Sequence, residues 1–173
     1  MICFIRRTIR GFIAPDHRFS CSSALWKVTF AELRKRGAGR RESGAFLLGS
    51  DNGGIRRVTC VIYYDDLDPH SLNSGFVQVS GTAYGALWRR CRESGLEVIG
   101  DVHTHPGAAH QSETDRKNPM LARAGHIAII VPFFATNYPR VRDLGVFEYL
   151  GEFRWNDQSG PDSGRFLYIG RWG

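Results

Sequence analysis

The chain has 173 residues, of which 42% are hydrophobic and 23% charged, a composition typical of a folded globular domain and inconsistent with wholesale disorder. No stretch approaches the roughly 18 consecutive apolar residues of a membrane-spanning helix, and arginines interrupt the apolar N-terminus, which argues against a signal peptide. The net charge of +6 permits an acidic partner without requiring one. We therefore expect a single soluble, cytoplasmic domain.

The N-terminal part of the chain is predicted to form a strand and a helix. The strand falls somewhere in residues 2–19. The helix is predicted over residues 24–36, because Ser22 and Ser23 can cap its first turn and Gly37 can end it. The apolar face of this helix is expected to carry Leu25, Val28 and Leu33.

A β-hairpin is predicted next in the chain. Residues 45–49 form a short apolar run, residues 51–54 (Asp-Asn-Gly-Gly) favour a turn, and residues 55–64 are rich in β-forming side chains. The alternating pattern of residues 74–80 predicts a further strand.

A second helix and a buried strand follow. Thr82 can cap a helix over residues 83–94, and Gly95 can end it. Residues 96–102 form an apolar run of the kind found in buried strands, and this run leads directly to His103.

The C-terminal half completes the predicted sheet. After a loop at residues 106–111, Ser112 can cap one or two helical turns, and Pro119 lies near a possible second helix start. Three β-rich runs predict strands, over residues 126–134, 144–155 and 165–172, and residues 156–164 are predicted to form a loop. The whole pattern predicts an α/β (α+β) fold over residues 1–173, with a mixed sheet flanked by about three helices.

A cluster of possible metal ligands follows the predicted strand 96–102. His103 and His105 are two residues apart, so their side chains lie on one side of an extended chain and can bind one ion. Asp115, in the following helical turn, can supply a third ligand. Two histidines and a carboxylate leave a fourth position for water, which is the arrangement of catalytic zinc sites. Ser112 and Asp115 also form a helix-capping pattern, and the two roles are compatible.

Two further carboxylates are candidates for the same site. Glu42 precedes the apolar run 45–49, where partial desolvation would suit a general base, although a lone Glu before a strand is more commonly a solvated charge. Asp101 alternates onto the same face as His103 and is a candidate outer group that supports the ligands.

These motifs resemble a known family. Glu42 followed by the run 44–49 (Gly-Ala-Phe-Leu-Leu-Gly), then His-Thr-His-Pro, then Ser-x-x-Asp, is similar to the JAMM zinc metallo-isopeptidases, also called JAB or MPN+. The resemblance covers the chain from about Glu42 to Val131. It implies a cytidine-deaminase-like fold of the JAMM type, with the motif-bearing core in about residues 22–155.

The resemblance also implies roles for individual residues. One Zn²⁺ per chain would be bound by His103, His105 and Asp115. Glu42 would be the general acid/base, and Ser112 would help to stabilise the tetrahedral oxyanion. Six residues separate His105 from Ser112 where the common pattern has seven, so the loop at 106–111 is expected to differ in conformation.

Members of this family cleave after the C-terminal glycine of ubiquitin or a ubiquitin-like protein. The implied substrate is a ubiquitin-like protein or its conjugates, by deconjugation or by precursor processing. The compact chain resembles prokaryotic members, some of which are encoded with E1-like and E2-like proteins in antiviral operons, so partners of these kinds are expected. No membrane partner is expected.

Three alternatives stay open. The family includes non-catalytic binding or scaffold modules, although these usually lack the metal ligands. The positive charge permits nucleic-acid binding, but the sequence has no aromatic-basic motif and no helix-turn-helix or zinc-finger spacing to support it. The basic run at residues 34–41 is either a solvated helix end or a contact for an acidic surface of the substrate.

Overall fold

The computed structural model describes residues 16–74, 76–171 and 173, which form one eight-stranded mixed sheet with helices on both faces. The strands are β1 (Phe19–Ser22), β2 (Gly44–Asp51), β3 (Arg56–Tyr63), β4 (Glu97–Thr104), β5 (Ile127–Val131), β6 (Gly145–Gly151), β7 (Arg154–Asp157) and β8 (Leu167–Gly170). The helices are α1 (Ser23–Gly37), α2 (Tyr64–Leu67), α3 (Gly81–Ser94) and α4 (Glu113–Lys117). The predicted α/β mixed-sheet fold is therefore confirmed.

The order of strands across the sheet is β7-β6-β5-β4-β2-β3-β1-β8. β4 runs parallel to β5, and β1 runs parallel to both β3 and β8, while the other neighbours are antiparallel. β2 and β3 form the predicted hairpin. Of the predicted strand in residues 2–19, residues 1–15 lie outside the described residues, and β1 begins at Phe19.

Helix α1 begins as predicted and buries Leu33, with Leu25 partly buried against the same core, but its C-cap is Ala38 and not Gly37. Ser22 is the N-cap, and its Oγ accepts a hydrogen bond from the backbone N–H of Leu25 at 3.2 Å. Ala38 ends the helix in a left-handed conformation. The placement of Val28 on the buried face is wrong, since its side chain is 59% exposed. The buried residues recur at intervals of three or four and are Trp26, Thr29, Phe30, Leu33 and Gly37.

The two long helices, α1 and α3, lie on opposite faces of the sheet. α1 packs on a large apolar cluster that includes Leu47, whereas α3 packs on a cluster that includes the neighbouring residue Phe46. This follows from the alternation of side chains along β2. A smaller cluster around Ile130 continues the α3 face towards β6. No helix in the described part of the chain is long and apolar enough to cross a membrane.

The predicted strand at residues 74–80 is wrong, because the described residues 76–80 form no strand. The backbone N–H of Val77 donates to Glu42 Oε2 at 3.3 Å, and the N–H of Gln78 donates to the carbonyl of Ser71 at 3.0 Å. These amides are therefore held by a carboxylate and by a loop carbonyl instead of by a neighbouring strand. The segment lies over the α3 face of the sheet, beside Glu42.

The start of α3 and the C-terminal elements also differ in detail from the prediction. Ser80, not Thr82, occupies the N-cap position of α3, although Gly95 ends the helix as predicted, with a φ of 67°. No helix begins at Pro119. Residues 144–155 contain β6 and the start of β7, and β7 continues to Asp157 into the segment predicted as loop.

Candidate metal-dependent active site

The predicted metal ligands come together at the carboxyl end of β4. His103 is the second-to-last residue of this strand, His105 directly follows the strand, and both side chains are buried. Asp115 is in the short helix α4. His103 Nε2 and His105 Nε2 are 3.0 Å apart, and Asp115 places Oδ1 at 3.6 Å from the first and Oδ2 at 3.2 Å from the second.

These distances fit a small divalent cation. An ion with tetrahedral bonds of about 2.0–2.1 Å places its ligand atoms about 3.3 Å from one another, close to the observed separations. Among the described residues, His103, His105 and Asp115 form a group whose donor atoms all lie within 4.8 Å of one another. Three protein ligands of this kind leave further coordination positions open, as catalytic metal sites require.

A capping box holds Asp115 in place. Asp115 N–H donates to Ser112 Oγ at 3.1 Å, and Asp115 Oδ2 accepts hydrogen bonds from both the N–H and the hydroxyl of Ser112. This reciprocal arrangement fixes the first turn of α4. Burial acts to raise the pKa of Asp115, but hydrogen bonds to His105 and Ser112 and the charge of His103 outweigh it, so the pKa is lowered. Asp115 is therefore an ionised ligand.

Behind His103 lies the buried carboxylate of Asp101, which is 1% exposed. Its Oδ2 accepts from His103 Nδ1 at 3.2 Å and from the Tyr64 hydroxyl at 3.1 Å, while Oδ1 accepts from His126 Nε2 at 2.7 Å. Burial would raise the pKa of Asp101, but the hydrogen bonds from the two histidines lower it to about 2. Since an ionised carboxylate only accepts, Nδ1 of His103 carries the proton and Nε2 is free to bind a metal.

Glu42 lies beside these ligands at the entrance of β2. Its Oε1 is 4.0 Å from His105 Nε2, and Oε2 accepts from the backbone of Val77. Burial raises the pKa of Glu42, against the opposing charges of His103 and His105. A raised pKa suits a group that must take up and release a proton near neutral pH.

All five predicted site residues therefore lie in one place, and their roles in binding and catalysis stay predictions. Sequence reasoning also anticipated Asp101 but missed His126 and Tyr64. His126 directly precedes β5, the parallel neighbour of β4, and its Nδ1 has no hydrogen-bond partner among the described residues. The register that brings this histidine to Asp101 has no local signal in the sequence.

A cavity of about 330 Å³ opens beside the ligands. Asp101, His103 and Asp115 form part of its polar wall. Its apolar wall is contributed by the segment 76–79, by α3, by the chain after α4 and by β7, through Phe76, Val79, Tyr84, Met120 and Trp155. A volume of this size accommodates a few residues of an extended peptide or a small ligand.

Comparisons with known proteins match about two thirds of the chain to one family. Residues 27–140 match the family described as prokaryotic homologs of the JAB domain. A 63-residue segment is 27% identical to a Sinorhizobium fredii (strain NBRC 101917 / NGR234) protein named "Probable metalloprotease y4jG" and covers 36% of this chain. The match spans about two fifths of that relative's length (39%).

Solved structures show the same fold. Protein DSY2949 from Desulfitobacterium hafniense has a TM-score of 0.60 at 17% identity, over 87% of this chain and 93% of its own. A protein from Salinibacter ruber has a TM-score of 0.55 at 18% identity, over 83% and 92% of the two chains. At these identities the likeness concerns the fold alone.

The mixed sheet brings together a His-His-Asp cluster that could hold a metal ion. The family match extends over well over half of the chain and includes every predicted site residue. The chain belongs to the family of prokaryotic homologs of the JAB domain.

Proposed function

We propose that this protein is a zinc metalloprotease that hydrolyses the bond after the C-terminal glycine of a ubiquitin-like protein. The observation that carries the proposal is the position of Glu42, whose carboxylate lies 4.0 Å from His105 at the edge of the metal-ligand cluster. A binding module would have no need to combine three ligand side chains with a half-buried carboxylate of raised pKa.

His103, His105 and Asp115 would hold the ion. When bound, zinc supplies a Lewis acid and lowers the pKa of water towards neutrality. Glu42 takes one proton from the water molecule that attacks the scissile carbonyl, and the water oxygen bonds to the carbonyl carbon. Glu42 then passes this proton to the departing amine as the carbon–nitrogen bond breaks. No covalent bond to the enzyme forms, so chelators should inhibit the reaction and thiol reagents should not.

Ser112 is proposed to donate its hydroxyl to the oxyanion. That hydroxyl currently donates to Asp115 Oδ2 at 2.6 Å, so it must rotate to do so. The capping contact from Asp115 N–H to Ser112 Oγ can persist during this rotation, because it uses the oxygen lone pairs. The same side chain can therefore hold α4 and reach the reacting carbonyl.

The cavity beside the ligands suggests the kind of substrate that the site accepts. Residues 76–79 lie outside the sheet and line the cavity beside the ligands, where a polypeptide tail can lie alongside them. We propose that this tail belongs to a ubiquitin-like protein, in deconjugation or in precursor processing. Bacterial conjugation systems with antiviral roles, including E1-like and E2-like partners, are the proposed setting.

The experiment uses a ubiquitin-like protein that ends in Gly-Gly and carries a fluorescent amine on its C-terminal glycine. Zinc-loaded wild type should release the fluorophore, and Glu42→Gln should bind the same amount of zinc but lose about 10²–10⁴-fold in rate, the usual contribution of general acid–base catalysis. Equal rates in the two proteins would show that Glu42 is not the base. A zinc-loaded, folded wild type that cleaves no such probe would instead support the binding-module alternative.

A further inference from the structure

A basic surface lies at the C-terminal end of α1. The segments 34–41 and 133–142 contain seven arginines and lysines and no acidic residue. Arg36 forms salt bridges with Asp65 and Asp66, at 2.6 and 2.8 Å. Arg142 lies 3.9 Å from Asp143. We define the basic rim as the remaining exposed cations of the two segments, namely Arg34, Lys35, Arg40, Arg41 and Arg140.

The basic rim is weakly neutralised. Lys35 makes an exposed contact of 3.4 Å with Glu32, and the guanidinium of Arg41 donates to the carbonyl of Arg36. Among the described residues, Arg34, Arg40 and Arg140 make no side-chain ion pair. Exposed cations that have no ion-pair partner of their own attract an anionic partner.

The two segments form one continuous surface. The ring of Tyr138 packs edge-to-face on Phe30 of α1 at a centroid distance of 4.9 Å. Thr136 and the end of α1 line a cavity of about 480 Å³, whose wall also includes Arg34 and Lys35. Cationic side chains therefore lie beside an apolar recess, and Tyr138 remains 52% exposed next to it.

The surface is physically connected to the metal site. The backbone N–H of Phe134 donates to the carbonyl of His105 at 2.8 Å, and that of Phe133 donates to the carbonyl of Gly107 at 2.9 Å. Phe133, Phe134 and Ala135 all have left-handed φ values, of 53°, 50° and 56°, which non-glycine residues adopt at a conformational cost. This turn leaves Phe133 54% exposed beside the loop that follows the ligands.

We propose that the basic rim binds an acidic, aromatic- or aliphatic-containing segment of the protein substrate. The carboxylates would meet the arginines, and an apolar side chain would enter the recess beside Thr136. We favour a polypeptide over a nucleic acid, because the cations lie beside a recess that a single apolar side chain can fill. This inference rests on the proposed proteolytic function, which supplies a protein substrate.

The test is a fluorescence anisotropy titration with a short fluorescein-labelled peptide of Asp and Glu that contains one Phe. The wild-type protein should bind it, and binding should weaken as salt is raised. Arg34→Glu with Arg40→Glu should weaken binding about tenfold, the sum expected of reversed exposed charges. The matched control is Arg89→Glu with Arg90→Glu, which reverses two exposed arginines on α3, on the other face of the sheet, and should leave binding unchanged.

Equal binding by the two double variants would overturn the proposal, as would tighter binding of a single-stranded oligonucleotide that displaces the peptide. Zinc content and cleavage of the fluorescent-amine probe are measured on the same proteins. Loss of peptide binding in the Arg34/Arg40 variant, with normal zinc content, supports the proposal that the basic rim binds the peptide. If wild type binds the peptide through the basic rim but does not cleave the probe, the result contradicts the proposed proteolytic function and still supports the proposed binding surface.

Discussion

The two faces of the sheet differ in the chemistry that they bury. The α1 face is filled mainly with apolar side chains, among them Trp26, Leu47 and Leu167. The α3 face also buries apolar residues near α3, but towards β5 it buries a connected set of polar groups, in which Asp101 joins His103 to His126. Buried polar groups cost free energy unless they are hydrogen-bonded to one another, so this set tolerates few arrangements.

Because the two faces bury different groups, we expect the α1 face to determine stability and the polar set on the α3 face to determine metal binding. Apolar contacts on the α1 face contribute free energy of folding and can be repacked in several ways. The polar set on the α3 face contributes a defined orientation of His103 instead, because each hydrogen bond restricts the ring. Substitutions on the α1 face should therefore change the free energy of unfolding alone, and substitutions in the polar set should change metal affinity.

The largest expected effect on stability is on the α1 face. Leu167→Ala removes a buried side chain from β8, four strands from β4, and should lower the free energy of unfolding by about 2–5 kcal/mol. Metal affinity of the folded protein should not change. Denaturant unfolding with chelator present measures the first quantity, and competition with a chromophoric chelator measures the second. Leu150→Ala, on an exposed part of β6, is the control and should change stability little.

A substitution at Gly44 should lower both the free energy of unfolding and the metal affinity. Gly44 pairs with His103 across β2 and β4, and a side chain there would collide with the buried ring of Tyr64 and press on His103. Gly44→Val should cost about 1–3 kcal/mol of stability, as overpacking does, and should also weaken metal binding. Gly85→Ala in α3 is the matched control, since an added methyl there meets open space. Wild-type metal affinity in a folded Gly44→Val protein would contradict the crowding described here.

The third prediction concerns Asp101 and tests whether this carboxylate orients the His103 ring. In Asp101→Asn the amide can donate to His103 Nδ1, which favours the tautomer with the proton on Nε2, where the metal must bind. Metal affinity should fall about 10–100-fold, as for other groups that orient a ligand histidine. Histidine NMR should report the change of tautomer directly. Asp162→Asn, on the exposed surface, is the control; an unchanged affinity in Asp101→Asn would remove the carboxylate from this role.

Local chemistry explains why the site could be predicted from the sequence. His103 and His105 share a side because of strand alternation, and Ser112 and Asp115 share a helical turn because of the capping box. Both rules depend on residues within three positions of each other. Asp101 was anticipated by the same alternation.

Longer-range contacts explain what was missed. His126 reaches Asp101 only through the parallel register of β4 and β5, and Tyr64 only because α2 follows the β2–β3 hairpin. The segment 74–80 alternates like a strand, but the N–H of Val77 is taken by Glu42, whose position depends on tertiary structure. Val28 was misplaced because apolar spacing alone could not decide where the edge of the buried face of α1 lies.

The most direct test of the account is the metal content of protein purified without added metal, compared between wild type and Asp115→Ala. The account predicts close to one zinc per chain in wild type and its loss in the variant, with both proteins folded. Well-folded wild type that contains no zinc, and binds none after reloading, would contradict it.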